Sequence, residues 1–234
     1  FLAFVRTLQR CPGNPVSQWA HLELRRYFDC EQVLNEKNAP EIWERCNAIL
    51  AGGLTAREMI RRANVTDLMT TDDPLDDLSE HEKIAADASF STRVYPAWRP
   101  DRALAIEKHD FADYIARLGN LRSFSELCGL LNARMDVFAA HGCRASDHGI
   151  ASLPEARATE RELDAILARA LERREISPDE ANKYRFGLMG FLARAYAKRG
   201  WAMEMHFGPM RNNHRAMFER IGPDTGFDAI ASRI

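Results

Sequence analysis

Four short segments with the character of strands alternate with helical stretches, and this alternation limits the possible folds more than any other feature of the chain. The predicted strands are residues 65–71, 93–98, 143–147 and 201–207. Strands separated by helices at this spacing predict right-handed βαβ units and a parallel sheet. The expected fold class is therefore α/β.

The first part of the chain has no such strand pattern. Apolar residues at helical spacing and the capping pair Thr55 and Glu58 predict helices there. We therefore divide the sequence into a helical region, residues 1–63, and a strand–helix region, residues 64–234.

Each predicted strand ends in or next to ionisable residues. Asp72 follows the first, Arg99 the second and His148 the third, and His206 lies at the end of the fourth. Folds of parallel α/β type place their active sites at the carboxyl ends of the strands, so we expect these four residues to meet. The alternative is that aspartates such as Asp72 merely cap the following helices.

Individual side chains suggest roles at this edge. Alternation along the fourth strand places Glu204 and His206 together on one face, although a purely structural His206 stays an alternative. Arg99 offers a two-pronged donor to a carboxylate or to vicinal hydroxyls, or it is a surface arginine paired with Asp101. His148 beside an aspartate suggests an oriented imidazole, but neighbouring strand residues point to opposite faces. The histidines on predicted helices, among them His81, are expected to be solvated.

Composition and motifs exclude several classes of protein. Lys and Arg total 32 against 34 Asp and Glu, which is no basic surplus for nucleic acid. No apolar run approaches the ~20 residues that a membrane span requires. The five cysteines form no C-x-x-C pair, which predicts a reducing, cytoplasmic setting rather than zinc ribbons or disulfides. Phosphate-binding, dinucleotide-binding and serine-hydrolase motifs do not occur in the sequence.

Several strings, taken in order, resemble the uronate isomerase (glucuronate isomerase) family of the amidohydrolase superfamily. They are GNP (13–15) with WAHLELRR (19–26), TTDDP (70–74), PAWRPD (96–101), GCRASDH (142–148), RGW (199–201), HFG (206–208) with RNN (211–213), and GFD (226–228). Each string alone is weak, whereas the ordered set is specific.

This resemblance implies a distorted (β/α)8 TIM barrel with a helical insertion after the first strand. By family order the four strands correspond to the second to fifth, so the chain resembles an internal fragment: part of the insertion followed by a partial barrel. The implied activity interconverts D-glucuronate with D-fructuronate and D-galacturonate with D-tagaturonate. Open sheet edges of a partial barrel imply self-association or a homo-oligomer, and this portion alone is expected to be inactive.

The resemblance also implies a divalent metal such as zinc in the complete enzyme. The family's His-x-His pair and final aspartate have no counterpart here, so we expect no metal site in this chain alone. We assign His206 and His148 as catalytic candidates, with Arg99 as the substrate clamp and Arg211 and Asp72 as further substrate-binding candidates.

Two alternatives to the isomerase stay open. One is a metal-dependent hydrolase of the same superfamily, which fold alone does not separate from an isomerase. The other is a non-catalytic interaction module, which a large exposed apolar patch without a polar pocket would favour.

Overall fold

Two separate hydrophobic cores organise the chain. The structure, a computed structural model, describes residues 1–231. One compact unit comprises residues 1–68 with 88–93, and the other comprises residues 69–87 with those from 94 onward. Each core belongs to one unit.

Four helices form most of the first unit. Asn14 caps the second helix and Thr55 caps the fourth, each by accepting a hydrogen bond from a main-chain N–H of the first turn. The helices bury a small core that includes Val5, Leu24 and Ile42. They are α1 (Leu2–Arg10), α2 (Pro15–Phe28), α3 (Ala39–Ala51) and α4 (Ala56–Arg62).

Seven helices lie among the described residues of the second unit. They are α5 (Ser79–Ala86), α6 (Asp101–Leu104), α7 (Phe111–Leu118), α8 (Phe124–Ala140), α9 (Glu160–Leu171), α10 (Pro178–Arg199) and α11 (Arg215–Ile221). The predicted start and end of α10 are confirmed. Ser177 and Glu180 form a reciprocal capping box, and Gly200, at φ 66°, ends the helix in the left-handed conformation.

The strands are short. They are β1 (Asp67–Met69), β2 (Arg93–Tyr95), β3 (Ala145–Ile150), β4 (Ala202–Phe207), β5 (Pro209–Met210) and β6 (Ala229–Ile230). β1 pairs with β2, and β3 pairs with β4 in parallel, with Ala145 opposite Ala202. Single parallel bridges join Trp98 to Asp72 on one side and to Ser146 on the other. The antiparallel pair of β5 and β6 was not predicted from sequence.

The first two strands are shorter than predicted. β2 stops at Tyr95 because the next residue, Pro96, has no N–H for a ladder. Hydrogen bonding nevertheless continues beyond it: the Asp72 N–H donates to the Ala97 carbonyl at 3.0 Å, and the Arg99 N–H donates to the Asp72 carbonyl at 2.9 Å. β3 starts later than predicted and extends to Ile150.

One face of β3 and β4 packs on the larger core. Ser146, His148 and Ile150 are buried, and the residues between them on β3 are partly exposed. Met203 and Met205 pack against the same core, as alternation along β4 predicts, whereas Phe207, predicted on the same apolar face, is 43% exposed. α/β content is thus confirmed. No helix among residues 1–231 is long and apolar enough to cross a membrane.

Candidate active site

Side chains from three successive strand ends meet, with the carboxylate of Asp147 in the centre. The Asp147 Oδ2 atom lies 3.1 Å from Arg99 Nη1, and its Oδ1 atom lies 3.0 Å from His206 Nε2. His206 Nε2 is also 3.2 Å from Glu204 Oε1. The cluster therefore holds one guanidinium and one imidazole between carboxylates.

The strand pairing explains this convergence. Arg99 follows β2, Asp147 lies on β3, and His206 lies on β4 opposite Gly149. Asp147, Glu204 and His206 lie on the face away from the larger core. The Asp147 side chain is 13% exposed and that of His206 is 59% exposed, so the cluster runs from a shielded carboxylate to an accessible imidazole.

Arg99 is held by two carboxylates. Its Nε donates to Asp101 Oδ2 at 2.9 Å, and this hydrogen bond, followed by the charges of Asp101 and Asp147, raises the pKa of the guanidinium. The guanidinium is therefore permanently charged. The side chain is 36% exposed, so it is accessible to a ligand.

Gly149 makes room for this arrangement. A Cβ atom at this position would lie 2.6 Å from Arg99 Nη2 and 3.2 Å from Asp101 Oδ2. The Gly149 N–H also donates to Asp101 Oδ2 at 3.1 Å. A side chain here would displace the guanidinium from its present position.

Asp72 adjoins the cluster through its main chain, while its carboxylate is engaged elsewhere. Its Oδ2 atom accepts a hydrogen bond from Thr70 Oγ1 at 2.6 Å and one from the Ala97 N–H at 3.2 Å. His81 lies close by, with Nε2 3.8 Å from Asp72 Oδ1. The prediction that His81 is solvated is wrong: its side chain is 11% exposed.

His148 does not join the other predicted site residues. It is fully buried, neither of its ring nitrogens has a hydrogen-bond partner among the described residues, and its ring lies 5.6 Å from that of Tyr196. Burial lowers the pKa of this imidazole. The predicted meeting of four strand-end residues is wrong for His148, because Asp147 beside it faces the cluster and neighbouring strand residues face opposite sides.

Arg211 lies in the segment between β5 and α11. Its Nη1 atom is 2.6 Å from Asp228 Oδ2, and the Asn212 N–H donates to Asp228 Oδ1 at 2.9 Å. These two contacts, the main-chain one first, lower the pKa of Asp228. Among residues 1–231 the ion pair of Arg211 is with Asp228 rather than with the cluster around Asp147.

The side chains described here do not fit a metal centre. Within residues 1–231, no three His, Cys, Asp or Glu side chains converge in a way that would hold a metal ion. The one accessible imidazole nitrogen at the cluster, His206 Nε2, already faces two carboxylates.

Asp147 was not among the site residues predicted from the sequence. Its signal was present in the alternation of strands: a partner for Glu204 and His206 must lie on their face, and only one of Asp147 and His148 can do so. The pairing of Arg99 with Asp101 was one of the sequence alternatives, whereas the contacts of Asp101 with Gly149 and of His81 with Thr70 depend on packing between more distant segments.

Comparison with known proteins agrees with the resemblance read from the sequence. The family model for glucuronate isomerase (UxaC) matches residues 1–234. The chain is 43% identical to a uronate isomerase of Clostridium acetobutylicum over 98% of its length, and 44% identical to one of Pectobacterium carotovorum over 100%. It covers 50% and 51% of those two proteins, so the chain spans about half the length of the curated relatives it matches.

Two solved structures also match this chain over about half of their own length. The crystal structure of uronate isomerase from Thermotoga maritima matches 99% of this chain with a TM-score of 0.89 at 30% identity, and 52% of that protein is covered. Glucuronate isomerase from Caulobacter crescentus also gives a TM-score of 0.89, at 22% identity, which shows a shared fold. Because the family model matches the whole chain, this protein belongs to the glucuronate isomerase family.

Proposed function

We propose that the complete protein containing this segment is a uronate isomerase, which interconverts D-glucuronate with D-fructuronate and D-galacturonate with D-tagaturonate. The observation that carries the proposal is the Arg99 guanidinium, fixed between Asp101 and Asp147 with His206 beside it. With Nε and Nη1 engaged by these carboxylates, the Nη2 group of Arg99 is the donor offered to the carboxylate of a uronate. Relatives named uronate isomerase, 43–45% identical to this chain, support it.

We propose further that the segments around Asp72, Trp98, β3 and β4 are strands two to five of a (β/α)8 barrel. Their parallel pairing in chain order supports this assignment, as does the match to half of a uronate isomerase structure. Residues 1–63 would then be part of the helical insertion and residues 64–234 the partial barrel.

The chemistry requires a proton to move between C2 and C1 of the sugar while charge shifts between the two oxygens. Asp101 and Asp147 occupy Nε and Nη1 of Arg99, so its Nη2 group is the donor that the substrate's C6 carboxylate would meet. In this proposal His206 polarises a substrate oxygen, and its exposure and its pairing with Asp147 support that role. Arg211 stays a candidate for binding the substrate.

Two predicted roles change in this proposal. Asp72 supports the main chain of Arg99 rather than contacting the sugar, because its carboxylate is already engaged with Thr70 and Ala97. His148 serves the core, because it is fully buried. No step is assigned to a metal, since the described side chains do not supply its ligands.

We also propose a cytoplasmic, self-associating protein. All five cysteines are unpaired, which suits a reducing compartment. Large apolar side chains of the first unit, such as Trp19 at 58% and Trp43 at 52% exposure, support burial against another surface. Light scattering coupled to size-exclusion chromatography will test this, and a monodisperse monomer of the complete protein would contradict it.

The activity is tested by assaying isomerisation of D-glucuronate and D-galacturonate with the 234-residue chain and with the complete gene product. We expect turnover from the complete protein and none from the chain alone. In the complete protein, Arg99→Ala should lower kcat/KM about 100-fold, because a charge-assisted contact to the substrate is lost.

The matched control is Arg93→Ala. Arg93 is the first residue of β2, the strand that Arg99 follows, and it pairs with Asp67 at an exposed site, with its Nε 2.6 Å from Asp67 Oδ1. Its removal should leave kcat/KM unchanged. A complete protein inactive on both uronates would overturn the isomerase proposal.

A further inference from the structure

We infer that Thr70 and His81 are positioning residues for Arg99. The inference rests on the proposed function, in which Arg99 is the substrate clamp. Neither side chain belongs to the cluster around Asp147. They act through a line of hydrogen bonds that ends on the main chain beside Arg99.

The line consists of four groups in order. His81 Nε2 lies 2.8 Å from Thr70 Oγ1, which lies 2.6 Å from Asp72 Oδ2, and that oxygen accepts the Ala97 N–H at 3.2 Å. The Asp72 carboxylate, at 2.6 Å, and the Tyr95 carbonyl, at 3.3 Å, both only accept, and the shorter contact takes the single hydroxyl proton of Thr70. His81 must therefore donate from Nε2 to Thr70, which determines the direction of every bond in the line.

These groups are shielded from water. The His81 side chain is 11% exposed and that of Asp72 is 12% exposed. Hydrogen bonds in such surroundings polarise one another, and a missing partner leaves a buried polar atom unsatisfied. Removing the Thr70 hydroxyl would therefore affect both His81 and Asp72. Contact of His81 with a substrate is not required.

The same residues hold the segment that carries Arg99. The Thr70 N–H donates to the Tyr95 carbonyl at 3.0 Å, and the Asp72 carbonyl accepts the Arg99 N–H at 2.9 Å. β2 ends at Tyr95, and main-chain bonds to Asp72 on one side and to Ala145 and Asp147 on the other, together with one side-chain bond from Asp72, hold the chain from Ala97 to Arg99. The side-chain bond from Asp72 to the Ala97 N–H is one of them, and Thr70 and His81 orient its acceptor.

Kinetics of the complete protein provide the first test. Thr70→Val removes the hydroxyl at nearly constant shape and should raise KM for D-glucuronate about tenfold with kcat within about twofold, as expected for weaker ground-state binding by a displaced clamp. Thr70→Ser keeps the hydroxyl and should restore KM. Thr66→Val, at the other end of the same strand and exposed, is the matched control and should change neither constant.

A double-mutant cycle distinguishes positioning from general damage. In an Arg99→Ala background Thr70→Val should have no further effect on KM, because the group that it positions is gone. An equal rise in KM with and without Arg99 would overturn the positioning role.

Hydrogen–deuterium exchange gives a readout that does not depend on activity. Thr70→Val and His81→Phe should speed exchange of the Ala97 and Arg99 amides more than tenfold, whereas Thr70→Ser and Thr66→Val should not. Unchanged exchange in Thr70→Val would overturn the positioning role, whatever the activity. An inactive complete wild type with altered exchange in Thr70→Val would instead overturn the proposed function.

Discussion

The two faces of strand β3 have different surroundings, although their residues alternate along one segment. On one face Asp147 contacts Arg99 and His206, and Gly149 leaves space for the guanidinium. On the other face His148 and Ile150 are buried in the larger core. Charge is concentrated where water and ligands have access, and apolar packing is concentrated where they do not.

This difference indicates how sequence changes should act. Substitutions on the core face should alter the free energy of unfolding, because close packing leaves little room for adjustment. Substitutions on the charged face should alter function, because partly exposed ion pairs contribute little to stability. Measuring stability and activity for both faces tests whether they are as separate as the structure indicates.

The largest expected effect comes from Phe138→Ala on the core side. Phe138 is fully buried and lies edge-on to Trp98, with ring centroids 4.9 Å apart at 87°. Its truncation should lower the free energy of unfolding by about 3–5 kcal/mol, a large part of a typical total of about 5–15 kcal/mol.

Urea denaturation followed by circular dichroism measures this loss. Arg99→Ala is the counterpart on the charged face and should cost no more than about 1 kcal/mol, because its side chain is 36% exposed. Equal destabilisation by the two variants would show that the faces are not energetically distinct.

A smaller effect is expected from adding a side chain to the charged face of β3. Gly149→Ala places a Cβ against Arg99 Nη2, the flexible end of that side chain, so the arginine should move while the fold stays intact. In the complete protein, KM for D-glucuronate should rise about tenfold with unfolding free energy changed by less than about 1 kcal/mol.

Gly190→Ala is the control for the same chemical change. A Cβ there meets only Arg194 Nη1 at an ordinary 3.6 Å, within helix α10. This variant should gain up to about 1 kcal/mol of stability, as alanine does in a helix interior, with KM unchanged. A normal KM in Gly149→Ala would contradict the predicted displacement of Arg99.

The smallest expected effect is the loss of folding stability at acidic pH that His148 causes. Burial lowers the pKa of His148 in the folded protein, so as pH falls below the ordinary histidine value the unfolded chain takes up a proton first and the folded state loses stability. The slope cannot exceed about 1.4 kcal/mol per pH unit for one group. His148→Leu should therefore lose less stability than the wild type between about pH 7.5 and about pH 5.5. Urea midpoints at both pH values measure this, and parallel losses would refute it.

The sequence predicted features that depend on neighbours in the chain. The ends of α10 follow from Ser177, Glu180 and Gly200, and the burial of Met203 and Met205 follows from alternation in β4. Local patterns of this kind are physical consequences of short-range geometry, and they were confirmed.

Features that depend on contacts between distant segments were harder to predict from the sequence. Alternation showed that Asp147 and His148 face opposite sides, but which of them faces the core depends on where helices α8 and α10 pack. His81 was misjudged for the same reason, since a helix pattern does not show which face will meet Thr70. The pairing of Arg211 with Asp228 likewise joins segments on either side of α11.

The pairing of strand segments in chain order also affects how the protein can fold during its synthesis. Asp72 is bridged to Trp98, Trp98 to Ser146, and β3 to β4, so each segment finds its neighbour in the one synthesised just before it. A ribosome releases the chain from its amino end at about 5–20 residues per second, slowly compared with helix formation and hydrophobic collapse. Each emerging unit can therefore add to an edge that is already in place, and the nascent chain need not keep a gap open for a strand still to be translated.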